Sequence, residues 1–103
     1  MELKITPWTK EETATADELL EQMDDYDSKV YRWASPPDYV FAGHTHGYHK
    51  LLYVVEGSIK FDFPTRHKSV TLNPGDRLEL PAGIRHSAIA GASGVECLEA
   101  HIY

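Results

Sequence analysis

The sequence predicts an all-β domain, a small antiparallel barrel or sandwich entered through one short N-terminal helix. Three observations carry this. From Lys29 onward, runs rich in β-branched and aromatic residues recur, among them Val30-Tyr31-Arg32-Trp33 and Leu51-Leu52-Tyr53-Val54-Val55. Ile59, Phe61 and Phe63 alternate with Lys60 and Asp62, the period of a strand with one buried face. Turn signals separate the runs, the strongest being Asn73-Pro74-Gly75-Asp76 and Pro81-Ala82-Gly83. Seven or eight short strands so punctuated suit two packed sheets.

The elements follow in order. Residues 1–14 read as a loose or edge-docking segment. Thr15-Ala16-Asp17-Glu18 has the pattern of a capping box, Thr15 as N-cap and Glu18 reaching back. A short helix continues through Leu19, Leu20 and Met23 and fades at Asp24-Asp25; its acidic residues read as a solvated face. This makes residues 1–28 an N-terminal segment and residues 29–103 the barrel. Strand candidates cover Val30 to Trp33, then Tyr39-Val40-Phe41. The run at residues 51–55 ends at Glu56-Gly57-Ser58, read as a hairpin turn. Residues 59–63 lead to a turn at Pro64-Thr65-Arg66-His67, where His67 is exposed. Val70-Thr71-Leu72 precedes the Gly75 turn, and Leu78 and Leu80 alternate after it. Residues 86–90 and 95–102 close the set as two further strands. Gly57 and Gly75 are placed where backbone angles unusual for other residues are needed.

Bulk properties bound the function. A chain of 103 residues holds one domain with a modest core. The net charge of −6 argues against nucleic acid or an anionic membrane as partner, since both require a basic face. Cys97 is the single cysteine, so no intrachain disulfide forms, and it reads as a small buried apolar residue. No apolar run approaches the roughly 18 residues of a membrane helix. The first residues lack the apolar stretch of a signal peptide, and a cytoplasmic protein is the expectation.

His44-Thr45-His46 and His86 carry the chemistry. Alternate residues of a strand share a face, so His44 and His46 can aim at one point. His86 lies just beyond the Pro81-Ala82-Gly83 turn, where the chain is sharply directed. Three converging neutral imidazoles make a site for a divalent transition metal such as zinc, iron, manganese or nickel.

At these residues the chain resembles the cupin superfamily, whose fold is the double-stranded β-helix or jelly-roll barrel. The second family motif, Gly-x5-Pro-x-Gly-x2-His-x3-Asn, is met by Gly75, Pro81, Gly83 and His86, with Ala90 at the Asn position. The first, Gly-x5-His-x-His-x3-4-Glu-x6-Gly, is met by His44, His46 and Gly57. Asp38 stands at its leading Gly, and Lys50 at its Glu. The resemblance spans roughly residues 29–102. It implies His44, His46 and His86 as metal ligands inside the barrel, and a homodimer. Leu51, Tyr53 and Val55 face outward by alternation and need cover from a partner subunit or from the N-terminal segment.

Lys50 is the main departure. By alternation from His46 it faces inward, ahead of Leu52 and Val54. An ammonium has no lone pair and cannot ligate. Three readings stay open: it swings away, it binds an anionic group of a substrate, or it is deprotonated by its surroundings and acts as a base. His49 replaces the missing ligand only if a bulge at Gly47-Tyr48 reverses the alternation. Glu99 and His101 share a strand face with Cys97, and which side that face takes is not settled. Trp33, Tyr39, Phe41 and Tyr53 read mainly as packing residues, one or two of them lining the pocket. Two functions follow. The chain is a metal-dependent enzyme of dioxygenase, isomerase or lyase type acting on a small organic molecule, with Lys50 orienting or polarising it. Alternatively it is a non-catalytic cupin that binds a small ligand as a sensor or carrier.

Overall fold

The computed structural model describes residues 1–23 and 29–103. Its strands are β1 (Lys4–Thr6), β2 (Val30–Ser35), β3 (Val40–His44), β4 (His49–Phe63), β5 (Lys68–Leu72), β6 (Arg77–Leu80) and β7 (His86–Ile102). Among the described residues one α-helix, α1 (Ala16–Met23), lies between β1 and β2, and a single 3-10 turn (Pro64–Arg66) joins β4 to β5. The expected fade of this helix at Asp24-Asp25 falls outside the described residues. Every strand pairing is antiparallel.

Two long strands organise the barrel. β4 and β7 pair along most of their length, and each serves two sheets. In one sheet the start of β4 lies between β6 and the end of β7, with β1 and β2 outside them. In the other the end of β4 lies between β5 and the start of β7, with β3 beyond β7. The inner faces of both sheets share one core, including Leu52, Val54, Phe61, Phe63, Leu72, Leu78 and Cys97. This is the all-β double-stranded β-helix that the motifs imply.

Two readings of the sequence are corrected here. Glu56-Gly57-Ser58 is not a hairpin turn, because β4 runs straight through it. The ladder with β7 shifts register between Val54 and Glu56 and again between Gly57 and Ile59. The bulged segment reverses which residues face inward. Lys50, Leu52 and Val54 point in before it, and Ile59, Phe61 and Phe63 after it. Gly57 has a φ of 77°, and a Cβ there would stand 2.1 Å from the Gly94 carbonyl oxygen. A bulge and a turn both demand this conformation, so the residue type does not tell them apart. Likewise residues 86–90 and 95–102 are one strand, not two. Inward positions change from His86, Ala88 and Ala90 to Val95 and Cys97 across residues 91–94.

The outward face of β4 is covered from within the chain. Leu19 and Met23 of α1 are buried against Leu51, Tyr53, Leu98 and Ala100. Each such apolar side chain contributes about 1.5–3 kcal/mol on burial. An eight-residue helix is marginal alone, so this packing supplies its stability. Its N-terminus is capped: Glu18 N–H donates to Thr15 Oγ1 (3.2 Å), and the Thr15 hydroxyl donates to the Glu18 carboxylate (3.1 Å). β1 docks on the β6 edge. Among the described residues no helix is long and apolar enough to cross a membrane.

Candidate metal centre

Three elements deliver the histidines. His44 ends β3, His86 opens β7, and the two are paired across the ladder. His46 lies two residues past β3, in the loop before β4, so strand alternation is not what aims it. The Gly83 N–H donates to the His46 carbonyl (2.9 Å) and ties this loop to the turn ahead of His86. Gly83 has a φ of 82°, which that turn requires. The ring centroids of His44 lie 4.5 Å from those of both His46 and His86. One nitrogen from each ring lies within 4.8 Å of the others.

The hydrogen bonds set the tautomers. His44 Nδ1 meets the Ala42 carbonyl at 2.6 Å, and His86 Nδ1 meets the Ile84 carbonyl at 3.0 Å. A carbonyl only accepts, so each Nδ1 carries the hydrogen and each neutral ring offers a bare Nε2. Backbone anchoring of the far nitrogen is how ligating histidines are commonly oriented.

The nitrogens aimed into the pocket do not satisfy one another. His46 Nε2 stands 2.9 Å from His44 Nε2 and 3.3 Å from Lys50 Nζ. A ring nitrogen has one in-plane hydrogen or one lone pair, not both. If Lys50 donates to His46, two lone pairs face each other; if His46 donates to His44, its N–H faces the ammonium. His86 is 2% exposed, and its Nε2 has no hydrogen-bond partner among the described residues. An unpaired buried acceptor is costly. A cation held by the three imidazoles would take up these lone pairs, and only the Lys50 ammonium would then need another partner. The residues therefore fit a divalent transition metal.

The electrostatics favour the ligating form at His46 and His86. Burial, then the neighbouring Lys50 charge, lowers the His46 pKa from 6.5 to about 4. Burial also lowers that of His86, against the opposing effect of its bond to Ile84. Neutral imidazole is the form that binds metal.

Lys50 faces inward, with its amine 3.5 Å from Glu99 Oε1. Glu99 is buried and accepts from Trp33 Nε1 (3.2 Å), while its Oε2 lies 2.6 Å from His101 Nε2. The Tyr48 ring is stacked between His46 and His101, with centroid distances of 4.8 and 4.1 Å. Burial, then Glu99, raises the Tyr48 pKa and keeps it a neutral phenol. His49 is not brought to the cluster. His49 and Lys50 are successive residues of the ladder with β7 and so face opposite sides, and His49 Nδ1 instead accepts the Ala82 N–H (3.0 Å). Burial pushes the Cys97 thiol up to about 12, so it stays protonated.

Together these residues line a cavity of about 230 Å³. One wall is polar, with the three histidines, Lys50 and Glu99; the other is apolar, with Trp33, Phe41, Leu52, Ile59, Phe61 and Ala88. Of the four aromatic candidates, Trp33 and Phe41 line the pocket, while Tyr53 faces α1 and Tyr39 is exposed. Such a cavity holds a small organic molecule by its apolar body and orients its polar end. Glu99 and Tyr48 were not among the site residues the sequence suggested. The only signal for Glu99 was its period-two spacing from Cys97 and His101.

A family model described as the AraC-like ligand binding domain matches residues 30–102. No match was found among the curated proteins. Solved structures similar in fold include a cupin-2 domain containing protein from Shewanella frigidimarina, 20% identical over 76% of this chain and 72% of that one, with a TM-score of 0.63. The DMSP lyase DddQ from Ruegeria pomeroyi is 22% identical over 75% of this chain and 39% of its own, with a TM-score of 0.67. This chain thus spans well under half of that lyase. A DUF861 family protein from Thermotoga maritima is 17% identical over 95% of this chain and 97% of its own, with a TM-score of 0.61. Identities this low speak for the fold alone.

Proposed function

The chain belongs to the AraC-like ligand-binding domain family, within the cupin superfamily, and from that premise we propose that it binds one divalent transition metal through His44, His46 and His86 and a small organic molecule beside it. The observation that carries this is the set of three Nε2 atoms: two rings tied through Nδ1 to the backbone, one buried nitrogen without a hydrogen-bond partner among the described residues, two facing at 2.9 Å. Of the metals considered, zinc, iron and nickel suit imidazole donors best, and manganese, which prefers oxygen donors, is the poorer match.

The first reading is an enzyme of dioxygenase, isomerase or lyase type. A metal with three neutral ligands keeps its full charge and polarises a bound water or carbonyl. The chain's own residues then hold the substrate: Trp33 and Phe41 pack its apolar part and exclude water. Lys50 directs its hydrogens at an anionic oxygen. The second reading, favoured by the ligand-binding description of the family, is a sensor or carrier that binds the same molecule without turnover. In both, the working form is a homodimer. Val40 and Ile89, paired across β3 and β7, are 65% and 39% exposed and provide an apolar contact for a second copy.

Elemental analysis of the purified protein tests the metal. About one transition metal per chain, lost in a His44→Ala/His86→Ala variant, is expected; an equal metal content in both would refute the ligand set. Conversion of a bound molecule to product distinguishes the enzyme from the sensor. Light scattering reads the dimer.

A further inference from the structure

Among the described residues that line the pocket, Glu99 is the single carboxylate. The motif position that resemblance assigns to glutamate holds Lys50, and Glu99 comes from β7 on the same pocket wall. We infer that Glu99 is a positioning residue for the metal centre: it draws the Lys50 ammonium off His46 so that the three Nε2 atoms can close on a divalent cation. This rests on the metal reading above.

Lys50 stands between two alternatives. Its Nζ is 3.3 Å from His46 Nε2 and 3.5 Å from Glu99 Oε1. In the first contact it occupies the lone pair that a metal needs. Its side chain is only 11% exposed, so it does not simply retreat into water. A divalent cation at the histidines repels an ammonium this close, and the pocket screens the repulsion poorly. Glu99 gives the ammonium somewhere to go. The carboxylate is itself held from two other sides, by Trp33 Nε1 and by His101 Nε2. It therefore stays while the flexible lysine moves. A carboxylate has about four acceptor sites, so it takes the ammonium without giving up either anchor. The motion needs no backbone change, only a shift of Nζ from one neighbour to the other.

A double-mutant cycle on metal affinity tests this. Metal-stripped wild type, Glu99→Gln, Lys50→Met and the double variant are titrated with cobalt(II), followed by its visible absorption. Glu99→Gln should bind about 10- to 100-fold more weakly. Lys50→Met, left with the Glu99 charge, should bind several-fold more tightly than wild type. The double variant should return to within about threefold of wild type. Glu99→Gln within about twofold of wild type overturns the inference. A double variant as weak as Glu99→Gln also overturns it, because Glu99 would then act as a ligand or through the fold. If Glu99→Gln does not fold by circular dichroism, the cycle is run with Glu99→Ala in place of Glu99→Gln: weaker cobalt binding that Lys50→Met restores supports the role, and binding within about twofold of wild type, or loss that Lys50→Met does not restore, overturns it. Wild type that takes up no cobalt overturns the metal reading and this inference with it. Wild type that binds, beside an unaffected Glu99→Gln, overturns the role of Glu99 alone.

Discussion

Tyr53 and Lys50 stand on opposite faces of β4, and each is the centre of a polar network drawn from several segments. On the outer face the Tyr53 hydroxyl donates to Gln22 Oε1 and accepts from Arg77 Nη1, both at 3.0 Å. Arg77 Nη2 then donates to Glu79 Oε1 at 2.8 Å. Each of these donors meets an acceptor. On the inner face Lys50 and His44 both compete for one nitrogen of His46, and His86 Nε2 has no hydrogen-bond partner among the described residues. The larger cavity, about 410 Å³, lies beside the outer network, not the inner one. Cavity size therefore does not mark the site here; unmatched hydrogen-bonding capacity does. A closed network holds α1 and β6 to the barrel, whereas an open one waits for a ligand.

The sharpest way to break this contrast is His86→Ala. It should reduce bound metal from about one per chain to near none while far-UV circular dichroism stays unchanged. Full metal content in the variant would place the site elsewhere.

Acid should act on the inner network next. Burial and Lys50 hold His46 near 4 against the ordinary 6.5, and burial lowers His86 as well. Between those values the unfolded chain binds more protons than the folded one. The contribution of these two groups to the stability of the metal-free protein is then fully present above about pH 6.5 and lost as pH falls towards 4. Thermal denaturation at both ends of this window should show the drop, and His46→Gln should shrink it. An identical slope in the variant would assign the titration to other groups.

Tyr53→Phe sharpens the outer half. It removes a donor from Gln22 and one acceptor from Arg77, which keeps Glu79, and should cost about 1–2 kcal/mol in urea denaturation. Metal content should not change, and a parallel loss of metal would show that the two faces are coupled. The smallest effect belongs to Trp33→Phe, which keeps the ring in the pocket wall but removes a donor from Glu99. A loss of about 0.5–1.5 kcal/mol is expected. No measurable loss would mean that Lys50 and His101 satisfy the carboxylate by themselves.

Much of this was readable along the chain. Alternation at Ile59, Phe61 and Phe63, and the turns at Gly75 and Gly83, reflect local preferences that hold in any context. His86 is recognisable because the Pro81-Ala82-Gly83 turn restricts where it can sit, and His44 and His46 by their spacing, although His46 lies past the end of β3. Glu56-Gly57-Ser58 misled for a physical reason: a glycine at positive φ looks the same in a hairpin and in a bulge. That bulge, and the bend across residues 91–94, each reverse the facing of everything after them. The inward position of Glu99 depends on the second reversal and is not written in its neighbours.

By itself the sequence determined the β class, the helix cap at Thr15, the turn ahead of His86 and the three imidazoles, since each rests on the backbone preferences or donor atoms of a few adjacent residues. Only the tertiary structure decided which face of β7 looks inward, that α1 covers Leu51 and Tyr53, that His49 turns to Ala82, and that Glu99 stands within reach of Lys50. Those outcomes depend on register between strands far apart in the chain, and a shift of one residue would exchange inside for outside.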